Sequence, residues 1–236
     1  MRPLLDTLAF SPVGVETLDD PTSDPALVER MLHDISRANR WFGGRHAMRH
    51  ALTRLLDATD RGKHLSLFDI GTGAGDLPLD AVRWAARRGV TLHPIGLERI
   101  PAAARVARHA GVPTMLGCAG ALPLRRGSVD LVLVSQVAHH LDADSATRLF
   151  TDCSRIARRG VIIADLRPSL LAAFGYRLGG ALLGLHQTTI DDGVISLARG
   201  FTPAALAALC VGVASGPVSV ARLPFARVVA WWRTDQ

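Results

Sequence analysis

The chain has 236 residues, of which 48% are hydrophobic and 20% charged, and its mean hydropathy is +0.21. This composition excludes a disordered or collagen-like chain and favours one large globular domain with a small appendage. The formal net charge is +6, but the arginines are scattered among alanines without a long basic run, so the charge does not predict a nucleic-acid partner.

The cysteines and the apolar stretches bear on the cellular compartment. Cys118, Cys153 and Cys210 lie far apart, which predicts buried thiols in a reducing compartment and neither a disulfide framework nor a CxxC metal site. The N-terminal residues lack the apolar core of a signal peptide, and the most apolar stretch, residues 170–185, is interrupted by Arg177. We therefore expect a cytoplasmic protein without a membrane span.

Residues 1–62 predict a helical N-terminal cap. Apolar residues recur at helical spacing from Leu27 to Ile35, and Gly43-Gly44 then breaks the pattern. A second helix is predicted over residues 46–56, with Met48, Leu52 and Leu55 on its inner face.

From Leu65 onward, short apolar runs alternate with Ala- and Arg-rich segments, which is typical of βαβ units and a mostly parallel sheet. The predicted strands are 65–70, 91–97, 113–116, 131–135, 161–164 and an antiparallel closing pair, 218–223 and 226–232. The predicted helices between and after them are 77–88, 101–110, 145–156 and 202–210. The fold class is therefore α/β, a doubly wound, Rossmann-like seven-stranded sheet over residues 63–236. Ligands in such folds bind at the carboxyl ends of the strands.

The strongest motif follows the first predicted strand, which ends in Asp69 and continues as Ile-Gly-Thr-Gly-Ala-Gly-Asp. Its glycines permit a tight turn and close approach to a ligand, and the helix that follows offers free N–H groups. Asp76 stands where the dinucleotide fingerprint needs a small residue, which disfavours NAD and FAD, and no Gly-Lys-Ser/Thr follows as in a P-loop. The pattern suits a nucleoside ligand with a cationic amino group and no phosphates.

On this motif the chain resembles the class I S-adenosylmethionine-dependent methyltransferases, over about residues 65–232. The resemblance implies S-adenosylmethionine as cofactor and S-adenosylhomocysteine as product. Glu98 would accept the ribose hydroxyls, and Cys118 stands where many members carry an Asp for the adenine amino group. The cofactor-binding residues implied are Asp69, Gly71, Thr72, Gly73, Gly75, Glu98, Arg99, Cys118, Ala119, Ser135 and Gln136.

The candidate catalytic residues are His139 and His140, after the fourth predicted strand, and Asp165, at the end of the fifth. Methyl transfer needs alignment of acceptor and methyl group, and an oxygen or nitrogen acceptor also benefits from a base. Either histidine is a candidate base or a structural residue, and Asp165 would orient an imidazole or bind an acceptor hydroxyl. A metal site formed by these candidates with His186 would need a glutamate at a ligand spacing, and the sequence has none there. No metal is therefore predicted.

Two segments are expected to select the acceptor. One is residues 39–42, Asn-Arg-Trp-Phe, and the other is a lid-like insertion over residues 166–201 that holds Phe174, Tyr176 and His186. Residues 16–21 and 34–40 are similar to bacterial methyltransferases that act on aromatic polyketides and quinones.

The sequence thus predicts O-methylation of an aromatic, polyketide or quinone-like small molecule in secondary metabolism. C-methylation of a quinone precursor and a cofactor-binding relative without turnover remain alternatives, and an RNA methyltransferase is less favoured because no basic stripe is present. Either a monomer or a homodimer is compatible with the sequence.

Overall fold

A computed structural model describes residues 16–20 and 22–234 of the chain. The strands are β1 (His64–Ile70), β2 (Thr91–Glu98), β3 (Thr114–Leu116), β4 (Val129–Ser135), β5 (Ala157–Leu166), β6 (Ser219–Leu223) and β7 (Arg227–Arg233). The α-helices are α1 (Pro25–Trp41), α2 (Gly44–Leu55), α3 (Asp76–Ala86), α4 (Pro101–His109), α5 (Ala143–Ile156), α6 (Leu170–Leu182), α7 (Gln187–Arg199) and α8 (Pro203–Cys210). Short 3₁₀ helices cover Thr17–Asp19, Ala58–Asp60 and Ala138–His140.

The strands form one seven-stranded sheet in the order β3-β2-β1-β4-β5-β7-β6. The first five strands pair in parallel, and β7 runs antiparallel to both β5 and β6. The predicted doubly wound α/β fold is therefore confirmed. Since β1 pairs with β2 on one side and β4 on the other, the winding reverses at β1, and a crevice opens beyond its carboxyl end.

Both faces of the central strands are buried, as expected for a parallel sheet covered by helices. Phe68 and Val132 face α5 and α8 on one side, where Phe150 completes the core. Leu67 and Leu131 face α2 and α3 on the other side. Alternate residues of β1 thus anchor opposite layers, which fixes the register of the strand and the position of the loop after it.

The inner face predicted for the second helix is confirmed, because Met48, Leu52 and Leu55 of α2 are buried against the sheet. Leu55 lies so close to β5 that a Cβ added to Gly160 would stand 2.8 Å from its Cδ2 atom. Helix α2 therefore shares a core with the sheet, whereas α1 lies over the loop after β1. The division of the chain at residue 62 stays a prediction.

The insertion after β5 consists of α6 and α7, which pack against each other. Gly193 of α7 permits this packing, because a Cβ there would stand 2.3 Å from Cε1 of Tyr176 on α6. In the described part of the chain no single helix has the length and apolar character to cross a membrane. Within residues 16–20 and 22–234, the pair α7 and α8 together has sufficient length and apolar character, but the two helices are bent by 69°.

Candidate functional site

A cavity of about 930 Å³ opens at the carboxyl ends of the strands, where the winding reverses. Among its lining residues are twelve of the predicted site residues: Asp69, Gly71, Thr72, Gly73, Glu98, Arg99, Cys118, Ala119, Ser135, Gln136, His139 and His140. Gly75 and Asp165, also predicted for the site, lie outside the lining. The convergence of strand ends explains this arrangement, because each residue lies at the carboxyl end of a parallel strand or in the loop beyond it.

Two glycines of the loop after β1 each combine a positive φ with a close neighbour that leaves no room for a Cβ. Gly71 has a φ of +72°, and a Cβ there would stand 2.4 Å from Cγ2 of Val137, so a side chain would block the turn. Gly75 has a φ of +74° and precedes α3, where a Cβ would stand 2.7 Å from Cγ2 of Val112. Gly75 therefore lets α3 begin close to the segment before β3, behind the cavity wall.

Glu98 holds the end of β2 to the glycine loop. Its Oε2 accepts a hydrogen bond from the Gly73 N–H at 3.0 Å, and its Oε1 accepts from the N–H groups of Arg99 at 2.7 Å and Ile100 at 3.0 Å. A carboxylate offers about four acceptor positions, so three backbone bonds leave capacity for a ligand hydroxyl. The Glu98 side chain is thus fixed in place before any ligand arrives.

The buried carboxyl group of Asp69 has a raised pKa. It is 2% exposed, and burial raises its pKa to about 8, with the charges of Asp76 and Glu98 acting in the same direction. Burial also raises the pKa of Asp76 to about 6. Since a cation near these groups would favour their ionised forms, this end of the cavity suits a positively charged ligand group.

A side-chain amide network closes the cavity between β4 and α3. Nε2 of Gln136 donates to Oδ1 of Asn39 at 2.9 Å, and Nδ2 of Asn39 donates to the Asp76 carboxylate at 3.3 and 3.4 Å. Gln136 has a φ of +56°, which costs a non-glycine residue about 1–3 kcal/mol and is tolerated where the surroundings fix it. Asn39, expected to help select the acceptor, lines the cavity and links Gln136 after β4 to Asp76 of α3.

Cys118, expected at the adenine side of the site, differs from the prediction in its exposure. The prediction of three buried thiols is right for Cys153 and Cys210 but wrong for Cys118, which is exposed at the cavity rim. Its Sγ accepts a hydrogen bond from the Gly120 N–H at 3.4 Å. Cys118 lies in the loop beyond β3 and not in the core between the sheet and its helices.

Arg99, one of the predicted cofactor-binding residues, follows Glu98 at the same edge of the cavity. Its guanidinium donates to the carbonyl oxygens of Leu18 at 3.3 Å and Asp19 at 3.0 Å. Arg99 thereby ties the short N-terminal segment, residues 16–20, across the cavity entrance.

His139 and Asp165 form a buried pair. Nδ1 of His139 lies 2.6 Å from Oδ1 of Asp165, whose Oδ2 also accepts from the His139 N–H at 3.3 Å. Burial alone lowers the pKa of His139, but the charge and hydrogen bond of Asp165, with the charge of Glu16, outweigh it and raise that pKa. Nε2 of His139 has no hydrogen-bond partner among the described residues. Asp165 thus fixes the orientation of the His139 ring.

Glu16 is a site residue that the sequence did not predict, although residues 16–21 are similar to bacterial methyltransferases. The Glu16 carboxylate is buried, and it accepts hydrogen bonds from Oγ of Ser196 at 2.8 Å and Nη1 of Arg199 at 3.2 Å. Its Oε1 lies 3.7 Å from Nε2 of His139, and its Oε2 lies 3.7 Å from Nε2 of His140. No sequence signal links a residue before α1 to two histidines after β4, because only the folded path of the segment brings them together.

The two histidines differ in their surroundings. Nδ1 of His140 lies 2.8 Å from Oδ1 of Asp19, and a quarter of its side chain is exposed. Burial and the neighbouring His139 lower the pKa of His140 to about 4. His140 is therefore neutral over the physiological pH range, and His139 is the histidine whose charge can change.

The opposite wall of the cavity comes from α1, α6 and the turn before β7. Tyr176 and the buried Arg227 line it, and Nε of Arg227 donates to the Phe42 carbonyl oxygen at 2.9 Å. Phe174 and His186 were also expected to select the acceptor, but neither lines the cavity. Phe174 is 67% exposed, and the His186 ring caps the start of α7 by accepting from the Thr188 N–H.

The comparisons with known proteins agree with this geometry. Residues 68–164 match the family model described as a methyltransferase domain. No curated protein matches the sequence of the chain.

Several solved structures share the fold. A SAM-dependent methyltransferase of Thermotoga maritima, described as a possible histamine N-methyltransferase, is 19% identical with a TM-score of 0.53 and covers 87% of this chain and 100% of its own. Human N-acetylserotonin methyltransferase in complex with SAM is 14% identical with a TM-score of 0.60, and the match covers 90% of this chain and 57% of the human chain. Magnesium protoporphyrin IX methyltransferase of Synechocystis with bound SAH is 14% identical with a TM-score of 0.53, covering 81% and 83%.

The fold is that of the class I methyltransferases, with its cavity at the switch point of the sheet. Residues 68–164 carry a methyltransferase domain, and the chain is an S-adenosylmethionine-dependent methyltransferase. Its cofactor is accordingly S-adenosylmethionine, and the glycine loop with Asp69 and Glu98 has the chemistry to hold it.

Proposed function

We propose that the enzyme transfers the methyl group of S-adenosylmethionine to an oxygen of an aromatic or quinone-like small molecule. One observation carries this proposal: a buried His139–Asp165 pair presents an unpartnered Nε2 atom in the same cavity as the donor-binding loop. A hydroxyl acceptor gains from a nearby base, because its oxygen is a far better nucleophile once the proton has left.

Residues at the carboxyl ends of β1 to β4, and in the loops beyond them, hold the donor. The ionised Asp69 attracts the amino group of the methionine end, and the glycine loop lets the backbone approach that end closely. Glu98 accepts a ribose hydroxyl in a charge-assisted hydrogen bond. Ser135 and Gln136 lie beside the methionine end, and Arg99, Cys118 and Ala119 border the adenine.

The acceptor occupies the remaining cavity between α1, α6 and His139. The cavity volume lies in the range typical of small-molecule sites, and its wall includes the Tyr176 ring together with apolar side chains of α1. The names of two structural neighbours, which specify N-acetylserotonin and magnesium protoporphyrin IX, support a small-molecule acceptor for this chain.

The reaction is an in-line displacement. The acceptor oxygen forms a bond to the methyl carbon, the bond from that carbon to sulfur breaks, and S-adenosylhomocysteine leaves. The acceptor proton passes to Nε2 of His139, and the Asp165 carboxylate stabilises the imidazolium that results. Solvent takes the proton after the product has left. Alignment and water exclusion in the cavity supply the rest of the acceleration.

A product assay tests this proposal. The enzyme is incubated with a methyl-labelled donor and a panel of phenols, hydroquinones and hydroxyquinones, and mass spectrometry locates the label. We expect an O-methyl product, and a rate about 10²- to 10⁴-fold lower in His139→Ala with unchanged donor binding. His33→Ala on α1, whose side chain is 68% exposed, is the matched control. Label on carbon, or full activity of His139→Ala, would contradict the proposal.

A further inference from the structure

Three side chains converge at the acceptor end of the cavity. The donor atoms of Glu16, His139 and His140 all lie within 4.8 Å of one another. Each Nε2 atom lies 3.7 Å from a different oxygen of the Glu16 carboxylate. Because 3.7 Å exceeds hydrogen-bond distance, these three groups face one another without bonding directly.

Both imidazole rings are held from behind by carboxylates. Nδ1 of His139 lies 2.6 Å from Asp165, and Nδ1 of His140 lies 2.8 Å from Asp19. Each contact places the proton of a neutral ring on Nδ1 and leaves the lone pair on Nε2. A carboxylate on the remote nitrogen is the usual support of a metal-binding histidine, since it fixes the ring and makes its lone pair more basic.

The spacing fits one metal ion. Zinc binds imidazole nitrogen and carboxylate oxygen at about 2.0–2.2 Å, so two such ligands at a tetrahedral angle stand about 3.4 Å apart. The observed 3.7 Å lies close to that value. Nε2 of His139, on a side chain only 1% exposed, has no hydrogen-bond partner among the described residues and points at the same space.

The local charge also favours a dication. With neutral histidines, the three carboxylates of Glu16, Asp19 and Asp165 are met by the Arg199 guanidinium, which lies 3.2 Å from Glu16 and 3.1 Å from Asp19. A buried excess of negative charge is costly unless a cation balances it.

We propose that Glu16, His139 and His140 form a binding site for a divalent cation of the zinc class. Two nitrogen donors and one carboxylate suit zinc, cobalt or iron rather than magnesium or calcium, which prefer oxygen. Three protein ligands leave one or more coordination positions open toward the cavity. Since one lone pair of His139 cannot both bind a cation and accept a proton, the loaded protein is a different state from the one that uses His139 as a base. The sequence predicted no metal because Glu16 is distant from the histidines along the chain.

Cation binding tests the site without donor or acceptor, so its outcome is independent of the proposed methyl acceptor. Metal-stripped protein is titrated with Co²⁺, followed by visible absorption, and with Zn²⁺ and Mg²⁺, followed by calorimetry. We expect one Co²⁺ or Zn²⁺ per chain with the absorption of a nitrogen- and oxygen-bound ion, and no comparable Mg²⁺ binding. Glu16→Gln and His140→Ala should each weaken binding about 10-fold or more.

The chain offers a matched control. His64 and His93 form an exposed pair with ring nitrogens 3.1 Å apart, and such a surface pair can itself bind a transition metal. His64→Ala should leave the visible absorption of the bound Co²⁺ unchanged. Circular dichroism and binding of S-adenosylhomocysteine verify that each variant is folded. The proposal is wrong if the wild-type protein binds no Zn²⁺, or if binding survives in Glu16→Gln and His140→Ala but is lost in His64→Ala.

Discussion

Nδ1 of His139 lies 2.6 Å from Oδ1 of Asp165, and the sheet itself creates this contact. Strands β4 and β5 pair in parallel with Ser135 opposite Ala164, so the turn after β4 meets the end of β5. The Asp165 carboxylate also accepts from the Leu166 N–H at 2.7 Å, which fixes its orientation. Asp165 is therefore held by strand β5 and His139 by the short 3₁₀ helix that follows β4.

The first prediction concerns the pH dependence of methylation. Neutral His139 is the form that accepts a proton, and its pKa is raised above the ordinary value of 6.5. In chelator-treated enzyme, kcat/KM should therefore rise with pH through that raised pKa and level off above it. Rate measurements across pH with a saturating donor check this expectation. A rate that falls as pH rises through that region would exclude His139 as the base.

The second prediction concerns Asp165→Asn. Removal of the carboxylate charge, which raises the pKa of His139, should move the midpoint of the pH profile to lower pH. The plateau rate should also fall, because the amide no longer stabilises the imidazolium or fixes its tautomer. The same pH series, with His33→Ala as control, measures both effects. An unchanged midpoint would show that Asp165 serves only the fold.

The sequence predicts the donor side of the site well, because the signals there are local. A strand, a carboxylate and a glycine turn follow one another between Leu67 and Asp76, and the conformation of the turn depends on those residues themselves. Glu98 is implied by the resemblance to the class I methyltransferases, and parallel strands that end at one edge of the sheet bring it beside the glycine turn. Asp69 and Glu98 both line the cavity as predicted, although their contacts to the cofactor stay predictions.

The acceptor side depends on contacts that no local pattern contains. Phe174 and Tyr176 are two positions apart on α6, so their side chains point about 200° apart, and one faces outward when the other faces the cavity. Helix packing determines which of the two side chains faces the cavity. Tyr176 does so because its ring packs against Phe42 and against Gly193 of α7. Glu16 was missed for a similar reason, since its position depends on hydrogen bonds to Ser196 and Arg199 of α7.

The third prediction separates backbone strain from close packing in Gly75→Ala. Gly75 and Gly62 have φ values of +74° and +82°, but a Cβ at Gly62 would meet nothing within 4 Å, whereas at Gly75 it would overlap Val112. Gly62→Ala should therefore cost roughly 1 kcal/mol of unfolding free energy from strain alone. Gly75→Ala should cost a further ~1–3 kcal/mol from overpacking. Urea unfolding of both variants measures the difference, and equal losses would show that Val112 moves aside freely.

The fourth prediction concerns Glu98→Gln. The substituted amide replaces one acceptor oxygen with an NH₂ group, which must face a backbone N–H of Gly73, Arg99 or Ile100. Hydrogen bonds to a charged group contribute about 1.5–3 kcal/mol, so S-adenosylhomocysteine should bind roughly 10- to 100-fold more weakly. Calorimetry measures the affinity, with Glu29→Gln on the exposed face of α1 as control. Equal affinities of Glu98→Gln and wild type would remove Glu98 from the donor site.

The last prediction links donor binding to protons at Asp69. Its pKa of about 8 in the free protein means that it is mostly protonated at neutral pH. The ligand amino cation favours the ionised carboxylate, so it lowers this pKa, and binding below about pH 8 releases a proton. Affinity for S-adenosylhomocysteine should therefore rise with pH up to about 8 and then level off.

Calorimetry in two buffers of different ionisation enthalpy counts the protons released. Asp69→Asn controls for titration of the ligand itself, and the proton release should disappear in that variant. Identical proton counts in Asp69→Asn and wild type would show that Asp69 does not meet the amino group.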